Sequence, residues 1–117
     1  MKWPAMGYTR AKSLAELWSA LQTLGDAGKI IAGGQTLLAT LAFRLSEPGT
    51  LIDINGINEL RGISTNGQVL RLGALTLHAD LCVDPLVKAH APLLAAAAPL
   101  MAHPAIRNRG TLGGSLA

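Results

Sequence analysis

The chain has 117 residues, half of them apolar, with ten basic and seven acidic side chains, a net charge of +3 and one cysteine. That is enough for one small domain with a real core, and it argues against a disordered chain or a disulfide-stapled secreted one. Scattered charge and few aromatic residues (two Trp, one Tyr, one Phe) give no stacking platform, so no nucleic-acid partner is expected. The longest near-apolar run, Pro92 to Ala102, is too short to span a bilayer, and the opening MKWPAMGYTR lacks a secretory core. A cytoplasmic chain without a membrane span is the expectation.

In chain order, Ser13-Leu14-Ala15-Glu16 fits a capping box, and Leu14, Leu17, Trp18, Leu21 and Leu24 recur at helical spacing until Gly25. The spacing predicts an amphipathic helix with those five side chains in the core. Lys29 to Ala32 reads as a buried strand that ends at Gly33-Gly34, and Thr36 to Arg44 reads as a helix. Pro48-Gly49 makes a turn before a second buried strand, Thr50 to Ile54. Asn66-Gly67, between Ile63–Thr65 and Gln68–Leu72, is a hairpin signal. Thr76 and Asp84-Pro85 look like helix starts, and Pro92 opens a further helix that Pro99 bends or ends. His103-Pro104 ends the helical region, and the chain turns glycine-rich from Arg107 to Ala117. Helices alternating with short strands, plus a hairpin, predict a small α/β or α+β fold.

Two glycine stretches carry the functional signal. Gly33-Gly34 follows a buried strand with Thr36 opening a helix, the position where open α/β sheets hold phosphates on bare main-chain amides. Gly110-Thr111-Leu112-Gly113-Gly114-Ser115 offers the same chemistry: exposed amides, two hydroxyls and little bulk. Two such loops can grip both phosphates of one dinucleotide. A plain tight turn remains the alternative for either, since neither matches the Gly-x-Gly-x-x-Gly fingerprint or the P-loop.

Other candidates read as structural. His78, His90 and His103 lack metal-ligand spacing and are expected at helix surfaces or turns, so no metal is assigned. Cys82 reads as a small core residue, and Asp53 as a turn or cap residue. Arg107 and Arg109 favour either an anionic cofactor or partner, or only water. Gly113-Gly114-Ser115-Leu116-Ala117 lacks the last glycine of a nucleophile elbow, which removes a hydrolase from consideration.

Four segments in order, AGGQTLL, LIDINGINELRGI, LRLGALTLHADL and HPAIRNRGTLGGSLA, resemble the FAD-binding medium subunit of molybdenum hydroxylases, the group of carbon monoxide and xanthine dehydrogenases with a PCMH-type FAD-binding domain. The likeness runs from about Tyr8 onward. It implies a small parallel sheet with flanking helices plus a hairpin, with about 1–56 as a first subdomain and about 57–117 as the start of a second. The flavin would lie between them. It further implies FAD as cofactor, held by a first loop of Ala32, Gly33, Gly34, Gln35 and Thr36 and a second of Thr111, Leu112, Gly113, Gly114 and Ser115. Gly73-Ala74 would line the same cleft.

The implied function is that of an oxidoreductase subunit without catalytic side chains of its own. It would pass electrons from iron–sulfur clusters through FAD to an external acceptor, beside a large molybdenum-cofactor subunit and a small iron–sulfur subunit. Family members run on past the position of Ala117, and the residues that cover the isoalloxazine ring lie in that further stretch. The alternative expectation is therefore a truncated, non-catalytic fragment with weak or no FAD binding, or a chain completed by another polypeptide. Ser115 departs from the asparagine common at its position but keeps a hydrogen-bonding group.

Overall fold

A computed structural model describes residues 6–35, 37–38, 49–101 and 103–117. The helix expected over 36–44 falls largely outside them, as does the site residue Thr36. The fold is mixed α/β and divides into two compact units, Met1–Glu59 and Leu60–Ala117.

Among the described residues the first unit is built on three parallel strands, β1 (Gly7–Arg10), β2 (Gly28–Ile31) and β3 (Thr50–Asp53), in the order β1-β3-β2. Gly7 pairs with Thr50 and Gly28 with Thr50, so Arg10, Asp53 and Ile31 end the three strands level with one another. β3 is central, and its Leu51 and Ile52 are buried, as befits a parallel strand flanked on both edges. Ile54 and Ile57 extend that core beyond the strand. Full burial of each such side chain stabilises by about 1.5–3 kcal/mol. β1 carries no sequence signal because all four of its residues are exposed; only the ladder to β3 makes it a strand.

Between β1 and β2 runs α1 (Leu14–Leu24). Ser13 Oγ accepts from the Glu16 amide at 3.1 Å, while Glu16 Oε2 accepts from the Lys12 amide at 2.7 Å, one residue before the cap. Gly25 ends the helix at φ 54° and donates its N–H to the Leu21 carbonyl. Of the five expected core residues only Leu17 is buried, and Trp18 is 57% exposed. A helix lying on three short strands covers a narrow stripe, and position 18 lies about 100° around the axis from position 17.

The second unit opens with a hairpin, β4 (Ile63–Thr65) and β5 (Leu70–Leu72). Thr65 pairs with Leu70, so the connection is four residues long and the second strand starts at Leu70, later than Gln68. Asn66 sets this length: its Oδ1 accepts from the amides of Gln68 (3.0 Å) and Val69 (2.9 Å), while Gly67 takes φ 97°. Among the described residues five short α-helices follow: α2 (His78–Val83), α3 (Pro85–His90), α4 (Pro92–Ala97), α5 (Pro104–Arg107) and α6 (Leu112–Leu116). Helix α2 begins two residues after Thr76, with Leu77 at its N-cap. Asp84 caps α3 through bonds from the Leu86 and Val87 amides, and Pro85 occupies the first helical position. His103-Pro104 does not end the helical region: Pro104 opens α5, and the glycine-rich stretch after it holds α6.

Leu81, Val87 and Ala98 form this unit's buried cluster, and Cys82 packs against it among partly buried apolar neighbours. Gly73 serves packing as well. A Cβ there would lie 2.4 Å from the Leu60 carbonyl oxygen, so its smallness admits the unit's own backbone.

Candidate functional site

The first glycine turn leaves the carboxyl edge of the parallel sheet directly after β2. Gly34 has φ +76°, a conformation that side chains with a Cβ rarely adopt, and a Cβ there would sit 2.9 Å from Leu38 Cδ1. Its carbonyl accepts from the Leu38 amide at 3.0 Å, so the chain passes into a helical turn at once. Among the described residues, the amides of Gly33, Gly34 and Gln35 meet no protein acceptor. All three residues are half-buried.

A small polar network holds this turn. Asn55 Nδ2 donates to the Ala32 carbonyl at 2.8 Å and to Asp53 Oδ1 at 2.8 Å, and the Asn55 amide donates to the same Oδ1 at 2.8 Å. The Tyr8 hydroxyl donates to Asp53 Oδ2. Partial burial pushes the Asp53 carboxyl up, but the bonds from Tyr8 and Asn55 and the Arg10 charge hold it below the usual aspartate value. The bond to Asp53, with some desolvation and the carboxylate's own charge, raises the Tyr8 hydroxyl above its usual value. Asp53 is thus the turn residue its sequence position suggests. Tyr8 and Asn55 escaped sequence reasoning, although Asp-x-Asn just after a strand is a local hydrogen-bonding pattern that signals such a turn.

The second glycine stretch is organised otherwise. Thr111 bridges to Leu77 and is the N-cap of α6, its Oγ1 accepting from the Gly114 amide at 3.1 Å. The Leu112 amide donates to Thr76 O (2.8 Å), Gly113 to Ala74 O (2.8 Å) and Ser115 to Thr111 O (3.2 Å). The exposed amides expected from Leu112 to Ser115 are therefore all engaged, because the stretch is a capped helix docked on the 74–77 segment. Only the Thr111 amide, among those from Thr111 to Ser115, lacks an acceptor among the described residues. A Cβ on Gly113 would meet the Ala74 Cβ and carbonyl oxygen, each at 2.9 Å, so Ala74 packs against this helix. Gly114 is exposed and faces only the Thr111 hydroxyl.

His78 is buried at 6% exposure, against the expectation of a surface histidine, and its Nε2 lies 2.8 Å from Ser115 Oγ. Gly110 makes room for the ring: a Cβ there would approach His78 Cδ2 to 3.0 Å. That packing has no local sequence signal. Arg107 Nη1 donates to the Pro99 carbonyl at 2.9 Å, which ties α5 to the turn after α4. Among the described residues no group of three or more His, Cys, Asp or Glu is placed to hold a metal ion, and no helix is long and apolar enough to cross a membrane.

Nine of the ten residues assigned to the two loops are described, and they divide between the units: Ala32 to Gln35 at the sheet edge of the first, and Thr111 to Ser115 at α6 of the second.

Residues 4–117 match the family described as the FAD binding domain in molybdopterin dehydrogenase. The chain is similar to the carbon monoxide dehydrogenase medium chain of Hydrogenophaga pseudoflava, at 46% identity over 97% of this chain and 40% of the relative. It is equally similar, at 46% identity over 100% of this chain and 40% of the relative, to subunit alpha of the 6-hydroxypseudooxynicotine dehydrogenase complex of Paenarthrobacter nicotinovorans. The solved structure of the Hydrogenophaga pseudoflava carbon monoxide dehydrogenase lacking the Mo-pyranopterin moiety superposes with a TM-score of 0.97, covering 99% of this chain and 40% of that one. The chain spans about two fifths of the length of these relatives. It belongs to the FAD-binding domain family of molybdopterin dehydrogenases, whose cofactor is FAD.

Proposed function

We propose that the chain holds FAD by its diphosphate, with the Ala32–Thr36 turn and the Thr111–Ser115 segment each supplying donors, as part of a medium subunit of a molybdenum hydroxylase complex. One observation carries this reading. At the carboxyl edge of a parallel sheet, three successive amides, those of Gly33, Gly34 and Gln35, have no protein acceptor among the described residues. Such a run of unpaired main-chain donors suits a phosphoryl group, whose oxygens would displace no protein acceptor. The donor set fits the cofactor.

The division of labour follows from the bonding. The first turn brings main-chain donors, pinned in place by Asn55 through the Ala32 carbonyl. The second segment brings the Thr111 amide, the Ser115 hydroxyl and the bare surface of Gly114. Each hydrogen bond to a charged oxygen contributes about 1.5–3 kcal/mol, so loss of one weakens binding about tenfold or more. When bound, the flavin supplies the redox chemistry, taking electrons from iron–sulfur clusters and delivering them to an external acceptor. Names of relatives such as "medium chain" and "complex subunit alpha" support membership of a multi-subunit complex, in which the partners would be a large molybdenum-cofactor subunit and a small iron–sulfur subunit.

Titration of flavin-free protein with FAD, FMN and ADP, followed by flavin fluorescence and competition, tests the reading. FAD is expected to bind, ADP to compete with it, and FMN, which lacks the diphosphate bridge, to bind far more weakly. Equal affinity for FMN and FAD overturns the diphosphate assignment. Absence of any flavin binding favours the role of a non-catalytic assembly piece.

A further inference from the structure

Among the described residues, two buried side-chain polar atoms have no hydrogen-bond partner: His78 Nδ1 and Thr76 Oγ1. Their residues are 6% and 5% exposed. The other ring nitrogen, His78 Nε2, is bonded to the hydroxyl of Ser115, an exposed residue of α6. The pattern of partners decides the direction of that bond. If Nε2 accepted from Ser115, the proton would sit on Nδ1 as a buried donor with nothing to accept it; a doubly protonated ring leaves the same orphan. Buried N–H groups without acceptors are rarer than under-used acceptors. The lower-energy arrangement has Nε2–H donating and Ser115 Oγ accepting. The serine O–H then turns away from the ring and is left to donate elsewhere.

The ring cannot readily rotate out of this arrangement. The His78 amide donates to the Gly110 carbonyl at 3.0 Å, and the buried ring packs so closely on Gly110 that a Cβ there would lie 3.0 Å from His78 Cδ2. The His78 carbonyl in turn accepts from Cys82 Sγ at 3.4 Å.

We propose that His78 is a positioning residue: its Nε2–H fixes the rotor of the Ser115 hydroxyl so that the serine proton is presented to an anionic oxygen, here the FAD diphosphate. This rests on the function proposed above for the Thr111–Ser115 segment.

Two measurements on the purified chain test it. Long-range proton–nitrogen NMR of the His78 ring reads the tautomer directly, and the Nε2–H form is expected. FAD titrations of His78→Leu, His78→Gln, Ser115→Ala and the His78→Leu/Ser115→Ala double variant read the coupling. The Leu and Ala variants are each expected to weaken FAD binding about tenfold, the double variant no further, because they remove one shared bond. His78→Gln, which sets an N–H near the Nε2 position, is expected to stay within about threefold of the unaltered chain. Ser115 is exposed, so its variant keeps the test valid even if His78→Leu disturbs folding. On a chain that binds FAD, three results would each overturn the positioning role alone: the Nδ1–H tautomer, independent multiplying losses in the double variant, or full affinity in Ser115→Ala. If the unaltered chain binds no FAD, the parent reading falls and takes the diphosphate target of Ser115 with it.

Discussion

At Gly33-Gly34 the chain is leaving a parallel strand; at Gly113-Gly114 it is already inside a short capped helix. The first pair needs glycine for its backbone, since Gly34 stands at φ +76°, and it leaves a run of amides without protein acceptors. The second pair needs glycine for space: Gly113 lies against Ala74, and the amides from Leu112 to Ser115 already have acceptors. The same dipeptide thus answers two different physical demands. A glycine pair signals only that a Cβ is unwelcome, and the reason is set by what the neighbouring segment brings.

The contrast can be broken most sharply at Gly113. Gly113→Ala drives a methyl group into the Ala74 backbone and is expected to destabilise the second unit by about 2–3 kcal/mol in urea unfolding. Gly114→Ala, which meets only a hydroxyl, should lose under about 1 kcal/mol. Comparable losses from the two would mean that space is not what selects Gly113.

Next in size is Gly34. Gly34→Ala is expected to lose about 1–2 kcal/mol for the left-handed backbone, and Gly34→Asn to recover part of it, because asparagine tolerates that region. Equal losses would assign the effect to the Leu38 contact instead. Gly34→Val should in addition abolish FAD binding, read by flavin fluorescence.

Asn55→Ala removes the bond to the Ala32 carbonyl and the bonds to Asp53, at an expected loss of about 1 kcal/mol and a measurable drop in FAD affinity. Stability lost without any change in FAD affinity would show that the network holds the fold but not the turn.

The smallest effect concerns Tyr8 and Asp53. Asp53 is held below its ordinary value of about 4, so its contribution is full above that pH and fades as pH falls through the lower folded value. Tyr8 is raised above its ordinary value of about 10, so its contribution is full below that pH and fades as pH rises through the higher one. Tyr8→Phe should flatten both limbs of a pH–stability curve slightly, as expected of a bond at the exposed edge strand. An unchanged curve would remove this bond from the support of the first turn.

Where bonds close within three or four residues, the sequence by itself was sufficient. The Ser13 cap, the Gly25 stop, Asp84-Pro85, the Asn66-Gly67 turn and the Asp53 turn all rest on side chains that reach neighbouring amides, so residue type and spacing carry the information. The ordered motifs, read together, also carried the family and its cofactor. Only tertiary structure decided that exposed Gly7–Arg10 is a strand, that His78 is buried against Ser115, and that the Leu112 and Gly113 amides are already taken by Thr76 and Ala74. Each of these depends on a partner some 35 to 45 residues away. No local propensity specifies such pairings, because the free energy that fixes them appears only when the two segments meet.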